Sequence, residues 1–231
     1  MTTVTLKTVE KLSRHCGDCT LCCKLVPLKA DYRTPEETAK ICAKMVEAGM
    51  AKVSDFRGMM PDFTKVAGER CQHQRRTGCA VYDRRPFGCR YWNCRWLVND
   101  DTGDLRRPDR SHYVIDIMPD FVTLFDNETG YRRDIQVVQI WVDPGYRDAW
   151  RDPALLAYLE RRGLEGTAAL IRFSSSEGFT LFPPSMSEDG QWHEVHRGEV
   201  QPERTPEEYL KALGGIEDGE GSKEGDRSTA E

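Results

Sequence analysis

Residues 111–142 read SHYVIDIMPDFVTLFDNETGYRRDIQVVQIWV, three apolar runs set off by turn residues. The runs 111–118, 121–125 and 134–142 are rich in Val, Ile and aromatic side chains, which suit a pleated surface, and Pro, Asp, Asn and Gly bound them. Three strands are expected. Downstream, Asp152-Pro153 opens a short helix, PALLAYLERR, that Gly163 is expected to end; 168–174 and 179–182 are two further strand candidates. Clustered strands with one helix among them favour an α+β fold over a regular βαβ alternation. The C-terminal half is therefore expected to hold a small, mostly antiparallel sheet.

Upstream the pattern is different. Thr34-Pro-Glu-Glu37 is a capping box with Pro at the first helical position, and the helix it opens runs through ETAKICAKMVEA to Gly49. Ile41, Met45 and Ala48 share one face of it. Cys42, beside Met45 and Val46, reads as a small buried hydrophobe and not a ligand. A second box, Thr205-Pro-Glu-Glu208, predicts a last helix of about two turns closed by Gly214. The tail, GGIEDGEGSKEGDRSTAE, holds six acids and two bases and almost no apolar residues, a composition expected to be disordered. It carries a net −4 of the chain's −5, so the body is near neutral, about −1. The expected organisation is a cysteine-rich metal-binding half with helices over 1–110, an α+β domain over 111–213, and an acidic tail over 214–231.

Eight of the nine cysteines fall in two bursts: Cys16, Cys19, Cys22 and Cys23, then Cys71, Cys79, Cys89 and Cys94. A disulfide framework fits poorly. The chain opens MTTVTLKTVEKLSRHC without an apolar leader, which points to a reducing, cytoplasmic setting, and the cysteine total is odd. No apolar run approaches the roughly 20 residues needed to cross a bilayer, so no membrane is expected. Clustered soft thiolates select zinc or an iron–sulfur cluster. Cys16-x2-Cys19-x2-Cys22 has the spacing of the first three ligands of a bacterial ferredoxin run, but Cys23 follows directly where that pattern continues with x3-Cys-Pro. Neighbouring side chains are expected to diverge, so that one of Cys22 and Cys23 reaches a second metal or bridges two. The missing ligands then come from the second burst.

That burst carries six arginines between Cys71 and Trp96 and a single acid, Asp83. Guanidinium groups and hydrogen bonds stabilise thiolate-rich metal sites and tune their potential. Arg85 and Arg90, set among the cysteines, are the candidates for contact with the bound cofactor; Arg75 and Arg76 read as a solvated face. Tyr82, Phe87, Tyr91, Trp92 and Trp96 form an apolar wall, with Trp92 and Trp96 four apart as on one helix face. His15 and His73 lie beside cysteines and are read as unligated. His193-Glu-Val-His196 has the wrong spacing for a metalloprotease and reads as a polar turn. Ser174-Ser-Ser176 lacks the context of a nucleophile elbow.

At these residues the chain resembles the YkgJ-type cysteine-cluster family, described as zinc- or iron-chelating proteins. The likeness rests on Cys16, Cys19, Cys22 and Cys23 as a CxxCxxCC start, then Cys71, Cys79, Tyr82, Arg85, Pro86, Cys89 and Arg90, with Cys94 beyond. It covers about residues 16–96 and strengthens the ligand list more than any activity. A similar cysteine arrangement occurs in flagellin lysine methylases, but no glycine-rich nucleotide loop extends the likeness to an enzyme.

The expectation is a metal-binding cysteine-cluster protein, iron–sulfur (4Fe-4S) in preference to zinc, with a role in redox chemistry, metal handling or cluster-dependent modification. The alternative is a structural zinc module whose C-terminal domain binds a protein partner. Nucleic-acid binding by the arginines is disfavoured by the near-neutral body.

Overall fold

A computed structural model describes residues 14–16, 18–28, 34–125 and 129–196. The second capping box and the acidic tail lie outside the described residues. The elements are α1 (Leu21–Leu25), α2 (Pro35–Glu47), the short hairpin β1 (Gln74–Arg75) and β2 (Gly78–Cys79), α3 (Phe87–Tyr91), α4 (Arg95–Val98), α5 (Pro108–Ser111), β3 (Tyr113–Phe125), β4 (Arg132–Val142), α6 (Pro153–Leu164), β5 (Ala168–Arg172), β6 (Gly178–Phe182) and β7 (His193–His196). Helices beside a mixed sheet make the fold α+β.

The five long-range strands lie in chain order, β3-β4-β5-β6-β7. Three pairings are antiparallel; β4 and β5, joined through α6, are parallel. Successive residues of the central strands point to opposite faces, and both faces are covered. Val138, Ile140 and Val142 of β4, with Ala169 and Ile171 of β5, pack against Leu155, Tyr158 and Leu159 of α6 and against Trp150. On the other face, Trp141 and Val114 meet Leu21 and Leu25 of α1, Ala67, Cys19 and Cys94. The cysteine-bearing segments therefore share a core with the sheet. Burial on both sides explains why VVQIWV reads as nearly continuous apolar sequence.

Four expectations need correction. The runs 111–118 and 121–125 form one strand, β3, which passes through Pro119 with a register shift between Ile115 and Pro119. β3 is an edge strand, where a proline is tolerated because one side of the strand has no ladder to supply. Ser111 belongs to the preceding short helix, and His112 ends that helix in the left-handed region (φ 62°). Gly163 does not stop α6, which continues to Leu164; a Cβ there would lie 2.3 Å from Pro183 Cγ and 2.4 Å from Ser185 Oγ, so glycine is needed to let the 183–185 turn rest on the helix. Trp92 and Trp96 are not on one helix: Trp92 caps the end of α3 and Trp96 sits in α4. The HEVH segment is an edge strand, β7, paired with β6, not a turn.

The capping box at Thr34 forms as expected. Glu37 N–H donates to Thr34 Oγ1 (3.2 Å) and Thr34 N–H to Glu37 Oε2 (2.7 Å). Cys42 on this helix is half-buried, not buried, and lies close enough to Tyr91 to act on its hydroxyl electrostatically. In sequence it lies outside both bursts. Cys42→Ala is expected to leave metal stoichiometry unchanged in elemental analysis; loss of a full equivalent would make it a ligand.

Candidate metal centre

The two bursts are brought together by the backbone before any side chain is considered. Cys71 N–H donates to the Cys23 carbonyl (2.9 Å), and Gln74 Nε2 donates to Thr20 Oγ1 (2.7 Å). The loop ahead of α1 is held from the far side by Arg14, which donates to Thr102 Oγ1 (2.6 Å), to the Thr102 carbonyl (2.8 Å) and to the Trp96 carbonyl, and lies over the Trp96 ring. Arg107 grips Asp18 (2.9 Å) and Asp109 (2.6 Å) and so ties the same loop to α5. Local helix content here is slight, with four helices of four or five residues, and long-range bonds do the positioning.

Electrostatic contacts among the thiols sort them into two groups. Cys16, Cys19, Cys22 and Cys94 act on one another. Cys89 is acted on by Cys23, Cys71 and Cys79. The groups meet at Cys23, which acts on Cys16 as well as on Cys22, its hydrogen-bonded neighbour. These neighbours, expected to diverge, are close enough to act on each other. The consequence is opposite for the two. Cys22, retaining its proton in that bond and buried, is held well above the ordinary thiol range. Cys23, accepting the bond and close to Lys65 and Arg85, is lowered to about 7 in spite of burial. Burial, followed by the other thiolates, pushes Cys89 up to about 12; burial pushes Cys94 up to about 11 and raises Cys16 and Cys19. Without a cation, then, most of these sulfurs hold their protons. A metal ion reverses that balance, because its charge outweighs the desolvation and mutual repulsion of its ligands.

Backbone N–H groups also point at the sulfurs. Cys71 receives that of His73 (3.4 Å), and the N–H groups of Leu21 and Leu97 lower the thiols of Cys19 and Cys94 against burial. Such N–H···S bonds are what thiolate metal sites use to spread negative charge. The donor set, its burial and these contacts fit a thiolate-bound metal or cluster. Among the described residues, however, no three Cys, His, Asp or Glu side chains are gathered closely enough to hold a metal ion.

Of the two arginines singled out by sequence, Arg85 lies within electrostatic reach of Cys16 and Cys23, its guanidinium stacked 3.8 Å over the Tyr82 ring. Arg90 is committed elsewhere: it donates to the carbonyls of Asp55 and Asp83 and braces the loops around α3. Phe87 and Tyr91 pack together (4.7 Å), while Tyr82 is 55% exposed and falls outside the apolar wall. His15 is exposed. The His73 ring stands edge-on to Phe63 (5.3 Å) with Nε2 buried and lacking a hydrogen-bond partner.

Three side chains of this region have no signature in the sequence. Lys65 and Asp116 are buried polar residues. Lys24, next to Cys23, donates to both oxygens of buried Asp143 (2.6 and 2.7 Å), anchoring α1 to the end of β4. No protein-family model, curated protein or solved structure matches the chain.

Proposed function

We propose that the chain is a metal-binding cysteine-cluster protein, iron–sulfur (4Fe-4S) in preference to zinc; the ferredoxin-like spacing of Cys16, Cys19 and Cys22 supports the preference, and the likeness to the YkgJ-type family implies zinc or iron binding only. The thiols divide four and four, Cys16, Cys19, Cys22 and Cys94 in one group and Cys23, Cys71, Cys79 and Cys89 in the other. The observation that carries this reading is the backbone bond from Cys71 to Cys23, which joins bursts about fifty residues apart in sequence. Loading draws each group in toward the metal–sulfur length of about 2.3 Å. The short helices and irregular connections that bear the thiols leave room for that movement. Cysteines kept reduced for this purpose suit a cytoplasmic setting. Bound metal would supply electron transfer, cluster donation or, in a zinc form, a closed structural node carrying a protein-binding sheet.

Among the described residues no helix is long and apolar enough to cross a membrane. Visible absorption and acid-labile sulfide of anaerobically purified protein separate the two metals. A brown protein with sulfide is expected; a colourless one with stoichiometric zinc selects the structural module; a metal-free one overturns both.

A further inference from the structure

Lys65 is 9% exposed, and its ammonium group is turned inward to the C-terminal end of α1. It donates to three backbone carbonyls: Val26 (2.7 Å), Lys24 (3.1 Å) and Val66 (3.2 Å). Its own backbone is locked by a two-way bridge to Leu28, N–H to carbonyl in both directions (2.9 and 2.6 Å). A lysine so enclosed has no freedom to reach solvent or a partner. The carbonyls it satisfies begin one residue after Cys23, and Cys71 is bonded to Cys23 itself.

We infer that Lys65 is a built-in counter-cation of the second thiol group, a positioning residue that offsets the negative charge of Cys23, Cys71 and Cys89 when metal is bound. Three bonds to neutral carbonyls do not cancel a charge, and among the described residues no carboxylate forms an ion pair with this ammonium. The strongest electrostatic influences on it are thiols: Cys71, Cys23, Cys22 and Cys89, each favouring its charged form against burial. A buried cation without a carboxylate is costly unless anions face it. Four neutral thiols that become a dication bound by four thiolates gain a net charge of about −2, so a fixed positive charge favours the loaded state. For an iron–sulfur cluster the reduced state is one charge more negative still, and the same lysine raises the potential.

This inference rests on the metal-binding reading above. A purely structural lysine, capping the carbonyls at the end of α1, would serve as well through hydrogen bonds alone. Lys65→Gln keeps amide donors and removes the charge, whereas Lys65→Arg keeps the charge; thermal melts of the metal-free proteins show whether each folds. Cobalt(II) affinity at neutral pH and, for cluster-loaded protein, the reduction potential are then compared with wild type. Lys65→Gln is expected to bind cobalt roughly tenfold more weakly and to shift the potential to more negative values by about 59 mV, the one-electron equivalent of tenfold. Lys65→Arg should stay near wild type in both. Equal affinity and potential in wild type and Lys65→Gln overturn the counter-cation role and leave metal binding standing. A wild type that takes up neither cobalt nor a cluster overturns both. Where Lys65→Gln does not fold, a Lys65→Arg protein that folds but binds as weakly as a charge-free site also contradicts the inference.

Discussion

Cys94→Ala and Cys89→Ala are each expected to remove about half of the bound metal, and the double variant nearly all of it. In the proposed division Cys94 goes with Cys16, Cys19 and Cys22, and Cys89 with Cys23, Cys71 and Cys79. Removing one of four ligands opens a closed site and costs orders of magnitude in affinity, since binding free energies of structural thiolate sites are about 10–16 kcal/mol. Metal per chain, measured on anaerobically purified variants, reads the result directly. Either single variant losing all metal would mean one fused centre, with Cys22 and Cys23 bridging. Either one keeping all of it would remove that cysteine from the ligand set. Because bound metal adds free energy to the folded state alone, stripping it should also loosen the cysteine segments. Limited proteolysis is expected to cut residues 57–112 first and leave 113–196 intact. The sheet has its own core around Ile140, Leu155, Tyr158 and Ile171, each at most 1% exposed. The reverse order of cleavage would contradict this.

Asp116→Ala is expected to destabilise the fold by about 3–5 kcal/mol, a large share of a typical domain's stability. The carboxylate is 6% exposed and accepts from Trp92 Nε1 (3.0 Å), Trp141 Nε1 (3.2 Å) and the Met118 N–H (3.0 Å). Truncation strands three donors at the seam between the Cys89–Cys94 loop and the sheet. Asp116→Asn should cost less, about 1–3 kcal/mol, because one oxygen can still accept while the amide faces the Trp141 donor. Urea unfolding followed by tryptophan fluorescence measures both. A loss below about 1 kcal/mol for the alanine variant would show that water replaces the carboxylate and that the seam is not held there.

What the sequence discloses is what local chemistry decides. The Thr34–Glu37 box is legible because both of its hydrogen bonds lie within four residues. The central strands are legible because β-branched runs such as VVQIWV have few other uses. Pro119 misleads, since whether a proline breaks a strand depends on whether its N–H faces a neighbour, and that neighbour is remote in sequence. HEVH misleads for a related reason: exposed on both sides, it has no apolar alternation to reveal it. At the candidate site, residue types and spacing mark eight cysteines, but their division depends on which sulfur faces which across the fold. Lys65 and Asp116 are invisible in sequence. Asp116 sits in a strand where a polar residue ordinarily faces solvent, and only the covering segment from Cys89 to Trp96 buries it. Lys65, in PDFTKVAGER, is one lysine among many until the end of α1 folds over it.

The central claim, that eight cysteines hold metal and the ninth does not, is tested most directly by mapping alkylation of the anaerobically purified, folded protein by mass spectrometry before and after metal is stripped. The account predicts that Cys42 reacts in both states. Cys16, Cys19, Cys22, Cys23, Cys71, Cys79, Cys89 and Cys94 should be protected until the metal is removed. Burst cysteines that react equally in the two states would contradict it.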